Sequence, residues 1–169
     1  IEDEEHNTID FYWFEKLTNS LTIHVQSGLQ TKEHNPFNFI VHPDSFNTLP
    51  FAYSAHQYQI LFASLQKQAI AQELVDYASA ILNASHFNTI AFVTNLTSQI
   101  HQDFSVEYRE DGPPLSPDST FKMKKGSCRD LSWMQITLLR NYGIAARFVS
   151  GYFYFDMEKP IYELHAWVE

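Results

Sequence analysis

The sequence predicts an α+β fold, and three changes of hydrophobic pattern predict it. From Phe11 to about Val41 the residues are β-branched and aromatic with period-two stretches, whereas from Ser54 to about Ile100 apolar residues recur every three or four positions. After Gly126 a helical run headed by Cys128 gives way to two strand-like runs. The expected organisation is a small β-rich region over residues 1–50, incomplete as it stands, followed by a helix-and-sheet core over residues 51–169.

In the first region Leu21, Ile23 and Val25 share one face of an extended run, and Thr18-Asn19-Ser20, Asn35-Pro36 and His42-Pro43-Asp44 read as turns. Two helices follow. Ile70, Leu74, Tyr77, Ala78 and Ile81 form the apolar face of one, and Ile90, Val93, Leu96 and Ile100 that of the next, with a break at Asn83 to His86 and a short helix expected near Tyr58 to Leu65. Residues Glu110 to Asp118 hold two charged residues at the start, three prolines and a glycine before a final Asp, and so read as an exposed loop. Beyond Gly126-Ser127, apolar residues at Leu131, Met134, Leu138, Leu139 and Tyr142 continue to Gly143, a helix C-terminal residue. Ile144 to Phe155 and Ile161 to Glu169 then read as strands of an antiparallel hairpin, turning at Asp156 to Pro160.

The bulk composition narrows the function classes. The chain has 169 residues, of which 44% are hydrophobic, so it is rich enough in apolar residues to build a core. Eleven Lys and Arg stand against 20 Asp and Glu, a net charge of -9, and the one basic cluster is Lys122, Lys124, Lys125 and Arg129. Phosphate binding needs clustered cations, so no nucleic-acid partner is expected. No apolar run approaches the length needed to span a bilayer, and residues 1–5 are acidic where a secretory leader is basic. No membrane partner is expected, and the cytoplasm is favoured while the compartment stays open.

One cysteine forms no intrachain disulfide, so Cys128 is a buried structural thiol, a reactive thiol or an intermolecular link. Its place distinguishes it. It opens a helix behind Ser127, a residue suited to the N-cap, where free N–H groups and the helix dipole favour an anion. The thiolate is the nucleophilic form of cysteine, and helix N-termini are among the places that favour it. His165 lies on a strand expected to pack across that helix, which makes it the candidate general base. The other seven histidines, His24, His56 and His101 among them, are read as structural. No HExxH spacing occurs and one cysteine excludes thiolate-rich sites, so no metal and no cofactor is expected.

Three runs together carry a resemblance: Gly126-Ser127-Cys128-Arg129-Asp130-Leu131, the stretch from Leu139-Arg140-Asn141-Tyr142-Gly143 through Ser150-Gly151-Tyr152, and His165-Ala166-Trp167-Val168-Glu169. In order and spacing they resemble the core of the bacterial transglutaminase-like superfamily. The resemblance is close over about residues 87–169, and Asn35 to Phe39 with the preceding segment resembles the β-rich region before that core. It implies a papain-like core, with a Cys at a helix N-terminus packed on an antiparallel sheet, and a Cys–His–Asp triad in which Cys128 and His165 are the first two members. The triad Asp is expected beyond Glu169.

Three departures from the family pattern stand out. Ala145 replaces a usual Pro, Leu131-Ser132 replaces the commoner Phe-Ala, and the segment that carries the Asp is not reached. Asp130 sits two residues past the nucleophile and is expected to complement the helix dipole, while Glu163 and Glu169 are expected at the rim. The implied reaction is thiol-dependent acyl transfer on a peptide or protein amide, with water as acceptor in a cysteine protease or amidase and an amine in a transglutaminase. Hydrolysis is favoured by the resemblance. A non-catalytic binding module on the same fold is the other class, and the oligomeric state is not legible in the sequence.

Overall fold

A computed structural model describes every residue except 4–6, 27, 29, 31–34, 36, 156, 157, 159 and 160, together with the side chains of 155, 161 and 162. The chain divides into two units, Ile1–Phe39 and Ile40–Glu169.

In the first unit the pairing between strands is an isolated bridge, Glu2 to Thr8, closed by the Ile9 N–H on the Ile1 carbonyl at 2.7 Å. The strands expected from Phe11 to Val41 are not formed among the described residues. Leu21, Ile23 and Val25 are each more than half exposed. Alternation makes a segment competent for a sheet, but a strand needs a partner for its N–H and C=O groups. The expected turn at Asn35 does form where it is described, with Asn35 Oδ1 accepting from the Phe37 N–H at 2.9 Å. Pro36 and the hairpin turn at Asp156 to Pro160, save Glu158, lie outside the described residues.

The second unit is α+β. Its helices are α1 (Ala55–Ile60), α2 (Gln72–Ala84), α3 (Thr89–Asp103), α4 (Pro117–Met123) and α5 (Cys128–Asn141). Helix α1 opens on a capping box: Ser54 Oγ accepts from the Gln57 N–H, and Gln57 Oε1 accepts from the Ser54 N–H. Helices α2 and α3 are separated where the break is expected, by His86 and Phe87 at positive φ, and Asn88 caps α3 by accepting from the Ala91 N–H. The buried face of α2 includes Leu74, Ala78 and Ile81, as the periodicity predicts. That of α3 is Thr89, Phe92, Leu96 and Ile100. The expected Ile90 is 39% exposed, because the helix is turned to bury Phe92, whose ring meets Tyr142 edge-on at 5.3 Å.

Helix α5 lies against this core with Met134, Ile136, Leu138 and Leu139 buried. Its end follows the chemistry of Gly143, whose φ of 81° suits glycine. The Gly143 N–H donates to the Arg140 carbonyl and the Ile144 N–H to the Leu139 carbonyl, a Schellman closure. Strands β3 (Phe148–Phe155) and β4 (Ile161–Val168) form the expected antiparallel hairpin, with His165 opposite Gly151 and Ala166 opposite Ser150. β3 starts later than expected because the chain before it is engaged elsewhere: the Ala145 N–H donates to Tyr53 Oη and the Ala146 N–H to the Ser64 carbonyl.

A second pairing was not legible in the sequence. Ser105–Val106 (β1) and Lys125–Gly126 (β2) form a two-residue parallel pair, which brings the chain after Val106 alongside the start of α5. The loop expected at 110–118 is shorter than its composition suggests. Ser116 caps α4 by accepting from the Ser119 N–H, and Pro117 takes the first helical turn, where its missing N–H costs nothing.

Candidate active site

Each residue of the run Gly126 to Asp130 has a distinct physical reason to be there. A Cβ on Gly126 would lie 2.8 Å from Asp130 Cβ, so only glycine admits that approach. Ser127 is the N-cap, and Asp130 at the N3 position reaches back to accept from the Ser127 N–H at 2.7 Å and from Ser127 Oγ at 2.8 Å. Cys128 is therefore the first residue of α5, half-buried, on a helix start fixed on both sides.

Cys128 and His165 line one cavity of about 1100 Å³. The start of α5, Phe148, Phe153 and Leu164 of the hairpin and the segment from Val106 to Glu110 line it. Helix α5 holds β4 through Ser132, whose buried hydroxyl donates to the Ala166 carbonyl at 3.2 Å, one residue from His165. The alternation of the strand puts buried Ala166 on the face toward α5, and His165 with Trp167 on the other. The imidazole stacks at 6.5 Å from the Trp167 ring and lies 5.7 Å from the Phe153 ring. Gly151 makes room for this arrangement, since a Cβ there would lie 2.6 Å from the Trp167 ring. Among the described residues no hydrogen bond joins Cys128 to His165, and no carboxylate bonds the imidazole. Glu163 lines the cavity, whereas Glu169 accepts from Nε and Nη2 of Arg147 at its Oε2.

Sequence reasoning missed how the lining loop is built. Asp130 is fully buried, and beyond Ser127 it accepts from the Leu115 N–H at 2.8 Å and from Arg109 Nη2 at 2.6 Å. Burial alone raises its pKa, but the N–H groups of Leu115 and Ser127, the Arg109 guanidinium and the Ser127 hydroxyl outweigh burial and hold the carboxyl below its ordinary value. The dipole-complementing role expected of Asp130 is thus only part of what it does. Arg109 also donates to the carbonyls of Asp111 and Pro113, and Arg129 donates to those of Gly112, Arg109 and Glu110. Of the basic cluster seen in the sequence, Arg129 is spent on these carbonyls, Lys125 pairs with Glu107 at 2.8 Å, and Lys124 sits 3.8 Å over the Phe121 ring. The signal for Asp130 was present as Ser-x-x-Asp, a capping-box spacing in which Asp takes the place of Glu.

The family profile of the transglutaminase-like superfamily matches residues 66–169. The match spans more than half of the sequence, and the chain belongs to that superfamily. Comparison with curated proteins returns no match. Among solved structures, a candidate cysteine protease from Cytophaga hutchinsonii shares the fold, with a TM-score of 0.53 and 21% identity over 74% of this chain. The aligned region spans 42% of that protein's length.

Proposed function

We propose that the cavity between α5 and the hairpin is the site of a thiol-dependent acyl transfer on amide bonds, with Cys128 as nucleophile and His165 as general base. The observation that carries this reading is the placement of the chain's single cysteine at the first turn of α5, in a cavity it shares with His165, in a member of the transglutaminase-like superfamily. In the proposed reaction the Cys128 thiolate attacks the amide carbonyl carbon and the Cys128 N–H helps hold the oxyanion. The proton taken up by His165 passes to the departing amine as the C–N bond breaks. The thioester is then cleaved by water or by a second amine. We favour water as the acceptor, in line with the name of the fold neighbour, and on this reading the chain is a protease or amidase acting on a peptide or protein.

Cys128 and His165 line the same cavity without a hydrogen bond between them, so this role requires the imidazole to turn toward the thiol when substrate binds. The same geometry favours a second reading, a binding module in which the imidazole is held by Phe153 and Trp167.

The test uses a peptide library with and without a biotinylated primary amine, on the protein as given and on Cys128→Ala and His165→Gln. Hydrolysis lost in Cys128→Ala and reduced about a hundredfold or more in His165→Gln is the expected result. Amine incorporation without hydrolysis would move the assignment to a transglutaminase. Alkylation of Cys128 at the same rate in His165→Gln and the parent, with no turnover in either, would overturn the enzyme reading in favour of the binding module.

A further inference from the structure

We propose that Arg109, Arg129 and Asp130 form a latch that holds residues 107–115 against the start of α5, so that this loop sets how large an acyl donor reaches Cys128. The loop has no internal framework. Among the described residues, no backbone hydrogen bond to another backbone group is made by residues 108–114, although Gly112 turns there at a φ of 91° with two prolines behind it. Three side chains bond its backbone instead. Arg109 takes the carbonyls of Asp111 and Pro113, Arg129 takes those of Arg109, Glu110 and Gly112, and Asp130 takes the Leu115 N–H.

Two of those side chains flank the nucleophile in sequence. Arg129 and Asp130 follow Cys128 on the first turn of α5, so the loop is tied to the same turn that presents the thiol. The parallel pair of Ser105–Val106 with Lys125–Gly126 fixes where the loop leaves, and the Asp130 contact to Leu115 fixes where it returns. Between these anchors Tyr108, Arg109 and Glu110 line the cavity that Phe153 and Leu164 also line. A loop held at both ends and stitched by two guanidinium forks has one favoured position, and that position sets the cavity's width. Arg109 is the keystone, because its planar fork reaches a carboxylate and two carbonyls together, which an ammonium cannot do.

The latch concerns access to the thiol and not proton transfer, so it stands or falls separately from the role of His165. With one cysteine in the chain, maleimide addition reads the site directly. The experiment compares N-ethylmaleimide with a bulky pyrene maleimide on the parent, Arg109→Met, Arg109→Lys and Arg129→Met, each checked for a cooperative thermal melt. The expected result in Arg109→Met is a rise of roughly tenfold or more in the ratio of bulky to small reagent rates, since tenfold is the shift from losing one charge-assisted hydrogen bond and Arg109 makes three. Arg109→Lys should fall between it and the parent. If Arg109→Met does not melt cooperatively, Arg129→Met carries the comparison, since its guanidinium bonds are to loop carbonyls. An unchanged ratio in a folded variant overturns the latch. So does equal acceleration of both reagents, which would report fraying of α5.

Discussion

Asp130 stands in the same first turn as the thiol and holds more of the site together than any other side chain in the motif. Four donors from three segments converge on it: the Ser127 N–H and hydroxyl, the Leu115 N–H and the Arg109 guanidinium. Because its folded pKa lies below the unfolded value of about 3.9, the stability it contributes is fully present above that value and is lost as pH falls through the folded pKa. Asp130→Asn should therefore lower stability by about 3 kcal/mol at pH 7, and the gap to the parent should begin to narrow below roughly pH 4, where the unfolded carboxyl takes up its proton, and close only below the lower folded-state pKa. Urea titrations of both proteins from pH 3 to pH 7 measure this. A gap that stays constant over that range would mean that shape, and not charge, is what Asp130 supplies. The sequence made Cys128 legible because a helix start has a local signature. Asp130's other partners were not, because Arg109 and Leu115 are 21 and 15 residues away and no periodicity connects them.

The elements show the same division between local and distant causes. Helix α5 was legible at both ends, from Ser127 at its cap to Gly143 at its close, and the two strands of the hairpin were legible from their pattern, though not which residues face each other. The strands expected before Val41 were not found among the described residues, since alternation carries no information about a partner. The first turn of the α3 face was misread because Ile90–Val93–Leu96 and Thr89–Phe92–Leu96 both fit a three-to-four spacing, and packing of Phe92 against Tyr142 decides between them. Ser132, a departure from the family's commoner Ala, ties α5 to β4 through the Ala166 carbonyl. Ser132→Ala should cost about 1 kcal/mol and speed amide exchange in β4 more than in α2. Hydrogen exchange by NMR separates the two elements, and uniform acceleration across both would show that the bond does not specifically secure the strand that carries His165.

At the scale of the molecule, the hydrophobic core is drawn from Leu49 onward, with Leu49 4% exposed and Phe51 packed on the same cluster. Leu49 is also tied by its N–H to the Phe87 carbonyl at 2.8 Å, beside the bridge from Thr48 to Asn88. Phe46, Phe51 and Tyr53 form a ring cluster with centroids 4.7–5.6 Å apart, and Tyr53 Oη accepts the Ala145 N–H ahead of β3. The segment before α1 is thus part of the unit that carries the cavity, and we place the working boundary at Phe39/Ile40 in preference to residue 50. Residues 40–169 alone should melt cooperatively within about 2 °C of the 169-residue chain, because the core residues are all retained. Residues 51–169 should melt roughly 10 °C lower, since deleting a buried leucine and its backbone pairing costs about 2–3 kcal/mol. Calorimetry of the three proteins decides it. Equal melting of 40–169 and 51–169 would return the boundary to residue 50, and loss of cooperativity in 40–169 would make residues 1–39 part of the folding unit.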